Sequence, residues 1–280
     1  MKDIRDFDPS RFFTEIAASY EPAILRGFVR HWPAVQKAMR SPEEICNYLM
    51  QLDSGGEVDA VMTRPEEGGR LFYNADMSGF NFVRNKVTVS RVVEQLARYS
   101  QFDAPPSVAI QSALIDDCLP QFARDNVAPA LPADVRPRIW LGNSIITPAH
   151  FDESYNLACV VGGARRFTLF PPEQVSNLYI GPLDFAPTPT PTPISMVNFR
   201  QPDYARHPRF REALQAARVA DLGAGDALFI PPLWWHHVQS SGVLNLMVNY
   251  WWKSEQPIPG ASMTFETMLG QLGQLAQAHS

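Results

Sequence analysis

A histidine and a carboxylate stand two residues apart in the segment Thr147-Pro148-Ala149-His150-Phe151-Asp152-Glu153. Side chains of a β-strand alternate between its two faces, so a strand here would place His150 and Asp152 on the same face. Such a pair suits a divalent cation, and one more histidine would complete a facial triad. A His-X-Asp pair with a distant histidine is the usual frame of a non-haem Fe(II) oxygenase.

Candidates for the third ligand lie in the segment Leu233-Trp234-Trp235-His236-His237-Val238. In a regular strand His236 and His237 point to opposite faces, so spacing alone does not choose between them. Taken by itself, a His-X-Asp or a His-His string is weak, because many such strings are surface polar residues. Apolar, strand-like segments precede both, at 138–146 and 226–232. Ligands at the mouths of buried strands fit a site in a β-barrel, and this combination favours a metal site.

A cosubstrate acid would need a cation close to the metal. Three protein ligands leave three octahedral positions, of which a bidentate α-keto acid could take two and O₂ the third. The distal carboxylate of that acid then needs a positive charge on a neighbouring strand, and the segment 162–170 supplies Arg165 and Arg166. Within a strand one of them faces inward, where a guanidinium offers a bidentate fork to a carboxylate. The alternative is that both arginines are surface charges on a β-edge.

Three polar side chains are further candidates for this pocket. Thr147 precedes the first ligand, and its hydroxyl could hydrogen-bond the cosubstrate. Asn156 and Asn249 sit near the two halves of the site, and Asn249 lies within the apolar segment 243–252. A buried polar side chain needs a partner, which we expect to be the cosubstrate, a metal-bound water or a neighbouring backbone group.

Composition and charge bound the class of protein. A chain of 280 residues is common for a single β-barrel with helical decoration. The formal net charge is −5 and no run of Lys or Arg exceeds two residues, so nucleic-acid binding is not expected. The N-terminus lacks the apolar run of a signal peptide, and no stretch is long and apolar enough for a transmembrane helix. Cys46, Cys118 and Cys159 show neither disulfide nor metal spacing and predict reduced thiols in a cytoplasmic protein.

The chain reads as one catalytic domain over residues 1–253. Helical and strand decoration is expected over 1–137, and the core barrel over 138–253. A proline-rich insertion at 182–193 is interpreted as an ordered surface loop or a mobile lid. The segment 254–280 is expected to be helical, and its apolar residues would pack on the barrel or on a second subunit, which makes a homodimer a hypothesis. Its stripe at three- and four-residue spacing consists of Phe265, Met268, Leu269, Leu272, Leu275 and Ala276.

Several motifs in one order resemble the cupin-like branch of the JmjC family of Fe(II)/2-oxoglutarate oxygenases, with a pattern similar to the asparaginyl hydroxylases that modify hypoxia-inducible factor. The likeness covers nearly the whole chain and is densest over residues 138–253. It implies a mainly β fold with flanking helices, a double-stranded β-helix or jelly-roll barrel of two antiparallel sheets. The matching segments are PAILRGFVRHWPA (22–34), TPAHFDE (147–153), ARRFTLFPPEQ (164–174), NFRQPDYARHPRF (198–210), GDALFIPPLWWHHV (225–238) and VNYWWK (248–253).

The resemblance also implies roles for individual residues. By motif matching, the iron ligands are His150, Asp152 and His236, which favours His236 over His237. Residues matching those that line the family's cosubstrate pocket are Thr147, Asn156 and Asn249, with Trp251 as an aromatic beside it. The asparaginyl hydroxylases carry a lysine where this chain has Arg165, so the charge is kept while the pocket must be reshaped. We also expect the strand-like segment 107–112 to line the site, with Gln111 contacting the substrate.

These observations predict an oxygenase that uses Fe(II), 2-oxoglutarate and O₂ to hydroxylate a protein side chain or a small molecule, releasing succinate and CO₂. A second hypothesis is a non-catalytic cupin-like protein that binds a small acid or sugar. A third is a metal-dependent cupin enzyme that does not use 2-oxoglutarate, such as an isomerase or another dioxygenase. Substrate identity does not follow from the motifs, because the loops that contact substrate are not matched.

Overall fold

The computed structural model describes residues 1–187, 192–253, 261 and 263–277, with side chains as far as 275. Within these residues the chain forms eleven strands and seven α-helices. The strands are β1 (Lys2–Arg5), β2 (Ala23–Arg26), β3 (Val58–Thr63), β4 (Phe82–Val87), β5 (Ser107–Leu114), β6 (Pro137–Gly142), β7 (Ile146–His150), β8 (Tyr155–Phe170), β9 (Arg218–Leu222), β10 (Ala227–Ile230) and β11 (Trp235–Trp252). The helices are α1 (Pro33–Arg40), α2 (Pro42–Leu52), α3 (Val89–Tyr99), α4 (Ile115–Cys118), α5 (Pro120–Asp125), α6 (Phe210–Ala216) and α7 (Phe265–Gln277).

Two long strands, β8 and β11, each run through two sheets and hold them together. Their outer ends, Tyr155 to Gly162 and Leu246 to Trp252, pair with each other and with β10 and β6. Their other ends pair with each other and with β9 and β7. The result is a major sheet in the order β1-β2-β10-β8-β11-β6-β5-β3-β4 and a minor sheet in the order β9-β8-β11-β7. This mainly β arrangement with flanking helices confirms the predicted jelly-roll class.

The bend in β8 requires glycine. Gly163 has φ +76°, a left-handed conformation that side-chain-bearing residues rarely adopt. A Cβ built there would lie 2.4 Å from the carbonyl oxygen of Leu244 on the neighbouring β11. The register between β8 and β11 also shifts in this region, between Ser241 and Leu246. A bulge at Gly163 therefore lets β8 turn from the major sheet into the minor one.

The core is divided by the two sheets. Helices α1, α2 and α3 pack on the back of the major sheet, and Ser41 and Thr88 cap α2 and α3 through their side-chain oxygens. A second apolar cluster lies between the sheets and includes Phe167, Leu169, Leu228, Ile230 and Met247. A third lies outside the minor sheet and includes Phe151, Phe170, Val175, Phe210 and Trp235.

The division at residue 137 stays a prediction, although strands from both sides pair in one sheet. β5 pairs with β6, and β2 pairs with β10, so the N-terminal strands extend the major sheet. Within the described residues no helix is long and apolar enough to cross a membrane. Cys46, Cys118 and Cys159 are all free, as the sequence predicts.

Helix α7 packs on its own chain. Met268 and Leu272 are buried in the cluster outside the minor sheet, while Leu269 keeps 49% of its surface exposed. The predicted stripe is thus largely covered within the subunit, and a homodimer through this helix stays a prediction. The Ala276 side chain and residues 188–191 of the insertion lie outside the described part of the chain, as do residues 254–260.

Candidate metal centre and cosubstrate pocket

Three side chains with metal-ligand atoms meet between the sheets. β7 and β11 pair so that His150 lies opposite His236, and their ring centroids are 4.2 Å apart. Asp152 completes the group, with Oδ2 3.6 Å from His236 Nε2. One ligand atom from each residue lies within 4.8 Å of the others, close enough for a single ion to contact all three. The structure therefore brings together the three residues that the sequence predicts as ligands.

Asp152 reaches the group by a different route from the one expected. β7 ends at His150, so strand alternation does not place the carboxylate. Instead the following loop is held by the amide of Leu233, which donates to the Asp152 carbonyl oxygen at 2.8 Å. Leu233 itself has φ +66°, a strained conformation in the turn that leads into β11. Phe151 points the other way and packs edge-on against Trp235 at 5.0 Å.

Both histidines have their tautomer set by the backbone. Nδ1 of His150 lies 2.9 Å from the carbonyl oxygen of Pro148, and Nδ1 of His236 lies 3.0 Å from that of Trp234. A carbonyl oxygen only accepts, so each Nδ1 carries the proton and each Nε2 keeps a lone pair for a metal. Burial, and then the neighbouring His236, lower the pKa of His150 below its usual range, which favours the neutral imidazole that a metal needs.

The carboxylate also fits a metal ligand. Oδ2 of Asp152 is buried and has no hydrogen-bond partner among the described residues. A buried carboxylate oxygen without a partner is costly, and a cation bound by the two Nε2 atoms would offset that cost. Two neutral imidazoles and one carboxylate on one side of an ion are the donor set of a non-haem Fe(II) site. The residues present therefore fit the metal that their types predict.

His237 lies on the opposite face of β11. Its ring stacks on Phe199 with centroids 4.3 Å apart and planes at 9°. Burial, followed by the charge of Arg70, lowers the pKa of His237 to about 3, so the ring is neutral at physiological pH. It is absent from the three-residue group, in agreement with the choice of His236.

A narrow pocket opens from the three ligands into the barrel. Arg165 lines it, and its buried Nε has no hydrogen-bond partner among the described residues. Burial lowers the pKa of Arg165 to about 10, which still leaves the guanidinium charged at neutral pH. A buried charge without a partner is unfavourable, so this pocket is suited to an anion. The remaining lining includes Thr147, Asn156, Asn249, Trp140 and Trp251.

Arg166 is directed away from this pocket. Its guanidinium is exposed and binds Asp221 of β9, with Nε 2.6 Å from Oδ1. The two adjacent arginines thus lie on opposite faces of β8, as strand alternation requires. Of the two cations that the sequence offers, Arg165 is the one beside the candidate ligands.

Two asparagines and a tryptophan form a hydrogen-bonded chain along the pocket wall. Trp140 Nε1 donates to Asn249 Oδ1 at 2.7 Å, and Asn249 Nδ2 donates to Asn156 Oδ1 at 3.2 Å. Within the protein, the partners of Asn249 are the side chains of Trp140 and Asn156, and its contact with a cosubstrate or a metal-bound water stays a prediction. Trp140 was missed from the sequence. An aromatic residue in a strand usually indicates core, so the sequence offered no signal for it.

Gln111 lies apart from both cavities described here. Its side chain is buried on β5, where Oε1 accepts from Arg84 Nη2 at 3.5 Å. It lines neither the pocket beside the ligands nor the larger cavity described in the next paragraph. The position of Gln111 therefore does not support the predicted contact with substrate. Strand β5 is irregular at this point, since the next residue, Ser112, has φ +54°.

A larger cavity, here called the outer cavity, adjoins one of the three candidate ligands, Asp152. Its volume is about 350 Å³, within the usual range of small-molecule sites. Asp152 and Trp251 line both it and the inner pocket, so the two are neighbours. The rest of its described lining is Phe151, Glu153, Ser154, Leu183, Thr192, Pro193, Lys253, Phe265, Leu269 and Leu272.

Comparison with known proteins is consistent with this geometry. The chain is 25% identical over 252 residues to Jumonji C domain-containing protein 5 of Drosophila melanogaster, covering 86% of this chain and 57% of that protein. It is 27% identical over 277 residues to the human bifunctional peptidase and (3S)-lysyl hydroxylase JMJD7, covering 88% and 82%. It is 23% identical over 239 residues to lysine-specific demethylase 8 of Xenopus tropicalis, covering 83% and 48%.

Coverage of these relatives is uneven. The chain spans 57% of the Drosophila protein and 48% of the Xenopus one, so their whole-protein activities do not transfer with the match. The model of the cupin-like domain matches residues 9–257, which is most of the sequence. The Drosophila relative carries a Jumonji C name, and the JmjC family generally uses Fe(II) and 2-oxoglutarate. The chain therefore belongs to the cupin-like domain family, with the JmjC oxygenases as its relatives.

Proposed function

We propose that this protein is an Fe(II)- and 2-oxoglutarate-dependent hydroxylase. The observation that carries the proposal is the arrangement of one pocket. Two histidines with free Nε2 atoms and an unpartnered carboxylate oxygen lie on one side, and Arg165, whose buried Nε has no partner among the described residues, lines the same pocket. The pocket is therefore suited to a cation beside the three ligands and to an anion beside Arg165. A metal with a dicarboxylic keto acid satisfies both requirements with one cosubstrate.

The reaction balances without any further oxidant. The acceptor R–H, O₂ and 2-oxoglutarate give R–OH, succinate and CO₂. One oxygen atom of O₂ enters the acceptor and the other enters succinate. The bond that breaks in 2-oxoglutarate joins the C1 carboxylate carbon to the C2 keto carbon, and C1 leaves as CO₂. When bound, Fe(II) with 2-oxoglutarate would activate O₂, the oxidant, for attack on the C–H bond.

The residues of this chain bind and orient. His150, Asp152 and His236 would hold the metal through one face, and Arg165 would pair with the distal carboxylate of 2-oxoglutarate through a bidentate contact. The Thr147 hydroxyl lies on the pocket wall and would donate to the same acid. The buried lining, with Phe167 and Met247 on its apolar side, keeps bulk water from the reacting groups. No general acid or base is needed from the protein for C–H oxidation.

The test is succinate formation from 2-oxoglutarate with Fe(II), ascorbate and air, without added acceptor. We expect slow turnover by the wild-type protein and none by His150→Ala. His237→Asn is the matched control, because it changes a buried histidine of the same strand pair that is not in the ligand group. Anaerobic titration with Fe(II) and 2-oxoglutarate should add a weak visible charge-transfer band. If the wild-type protein shows no turnover and does not bind 2-oxoglutarate, the proposal is contradicted.

A further inference from the structure

We propose that the outer cavity binds the acceptor, and that the acceptor is a peptide segment presenting an uncharged, apolar side chain to the metal centre. This inference rests on the proposed hydroxylase function and narrows it to one class of substrate. It follows from three features of the cavity: its position beside the ligands, its apolar walls and the mutual neutralisation of the charges at its rim.

Position makes the outer cavity the place from which a C–H bond can reach the metal centre. Asp152, one of the three candidate ligands, contributes to its wall, and so does Trp251, which also lines the inner pocket. Arg165, Asn156 and Asn249 line the inner pocket alone, so the polar groups suited to the cosubstrate stay on that side. An acceptor in the outer cavity would therefore meet the ligands without displacing the cosubstrate.

The walls of the outer cavity are apolar and come from separate parts of the chain. Helix α7 supplies Phe265, Leu269 and Leu272, and the proline-rich insertion supplies Leu183 and Pro193. Leu183 and Leu269 keep 38% and 49% of their surfaces exposed, so a ligand in the cavity could cover them. Covering such surface contributes about 25 cal/mol per Å² to binding, so an apolar side chain is the favoured occupant.

The charges of the outer cavity do not select a charged side chain. Glu153 and Lys253 lie at its rim and pair with each other, with Lys253 Nζ 3.4 Å from Glu153 Oε2. Asp152 is the remaining charged group among the described lining residues and belongs to the ligand set. A lysine or arginine side chain entering here would lose water against α7 and find no unpaired carboxylate among the described lining residues other than the candidate ligand, which is unfavourable.

A peptide backbone matches the polar groups that remain. The Glu153–Lys253 pair offers an acceptor and a donor side by side at the exposed rim, as a peptide offers C=O and N–H groups. This pair would hold the backbone while the apolar walls hold the side chain that is oxidised.

The experiment uses capped pentapeptides of the form Ac-Ala-Ala-Xaa-Ala-Ala-NH₂ with the Fe(II)-loaded protein, 2-oxoglutarate and air. We expect Leu, Met and Phe at the central position to raise succinate formation above the peptide-free rate and to gain the mass of one oxygen atom. Lys, Arg and Glu peptides should do neither. Stimulation by the charged peptides, or by none, with peptide-free turnover intact would overturn this inference alone. If the protein shows no peptide-free turnover and also fails to bind 2-oxoglutarate, the hydroxylase function is overturned as well.

A pair of substitutions locates the binding surface. Leu269→Glu places a charge on the wall of the outer cavity and should lower kcat/KM for the leucine peptide roughly tenfold, mainly through KM. Leu269→Met keeps the wall apolar and should restore it. Leu214→Glu is the matched control, because Leu214 is 39% exposed on α6 and does not line the cavity. An unchanged KM in Leu269→Glu would place the acceptor elsewhere.

Discussion

The indole Nε1 of Trp140 donates to Oδ1 of Asn249 at 2.7 Å, and this bond fixes which end of the carboxamide faces Asn156. With Oδ1 engaged, the Nδ2 group of Asn249 is left to donate to Asn156 Oδ1. The Asn156 amide group is then the end directed to other partners in a pocket that it lines. Trp140 therefore acts as a positioning residue for two polar groups of the cosubstrate pocket.

Trp140→Phe should raise the KM for 2-oxoglutarate roughly five- to tenfold, because loss of one hydrogen bond lets the Asn249 amide turn over. The change is measured from succinate formation over a range of 2-oxoglutarate concentrations. Trp32→Phe is a matched control, since Trp32 Nε1 donates to the Val127 carbonyl oxygen at 2.9 Å outside the pocket lining. That variant should lower the free energy of unfolding by about 1 kcal/mol and leave the KM unchanged. Equal effects of both variants on KM would remove the positioning role.

The adjacent arginines of β8 give a second matched pair. Arg165→Gln should raise the dissociation constant of 2-oxoglutarate at least roughly 30-fold, because a desolvated, charge-assisted bidentate contact is worth about 2–5 kcal/mol. Arg166→Gln removes an exposed contact with Asp221 and should leave that constant unchanged. Titration calorimetry under anaerobic conditions measures both. If Arg166→Gln has the larger effect, the carboxylate of the cosubstrate is bound outside the inner pocket.

The two adjacent histidines of β11 separate metal binding from packing. His236→Ala should abolish Fe(II) binding, since it removes one of three ligands. His237→Ala should retain it and lower the free energy of unfolding, because the ring is buried and stacked on Phe199. Metal content after dialysis against Fe(II) and thermal unfolding measured by circular dichroism distinguish the two losses. Retained Fe(II) binding in His236→Ala would exclude it from the ligand set.

The candidate site was more predictable than the way the chain builds it. Residue type limits which side chains can bind a divalent cation, so His150, Asp152 and His236 could be proposed from their spacing and neighbours. The position of Asp152 depends instead on the backbone contact with Leu233, which is distant in sequence. The rule of strand alternation selected Asp152, which lies in the three-residue group, but the geometry it assumed was wrong because the strand ends at His150.

Elements formed by local signals were predicted better than those formed by distant pairing. Helix α2 begins at Pro42 with Ser41 as its cap, and a start of this kind can be recognised from the sequence because the cap and first turn are local. Strand β1 was not predicted, since Lys2–Arg5 is polar and gains its structure from a parallel pairing with β2. The Gln111 side chain shows the same limit, because its partner Arg84 lies on β4, a strand the sequence did not indicate.

The bend at Gly163 gives a prediction about stability. Gly163→Ala should lower the free energy of unfolding by about 2 kcal/mol or more, because alanine is strained at φ +76° and its Cβ would meet the Leu244 carbonyl oxygen at 2.4 Å. Gly223→Ala is the matched control, since a Cβ there meets nothing within 4 Å. Chemical denaturation with urea, followed by tryptophan fluorescence, measures both variants. Because β8 carries Arg165 just beyond the bend, Gly163→Ala should also weaken 2-oxoglutarate binding. If Gly163→Ala is as stable as Gly223→Ala, the bend does not depend on glycine.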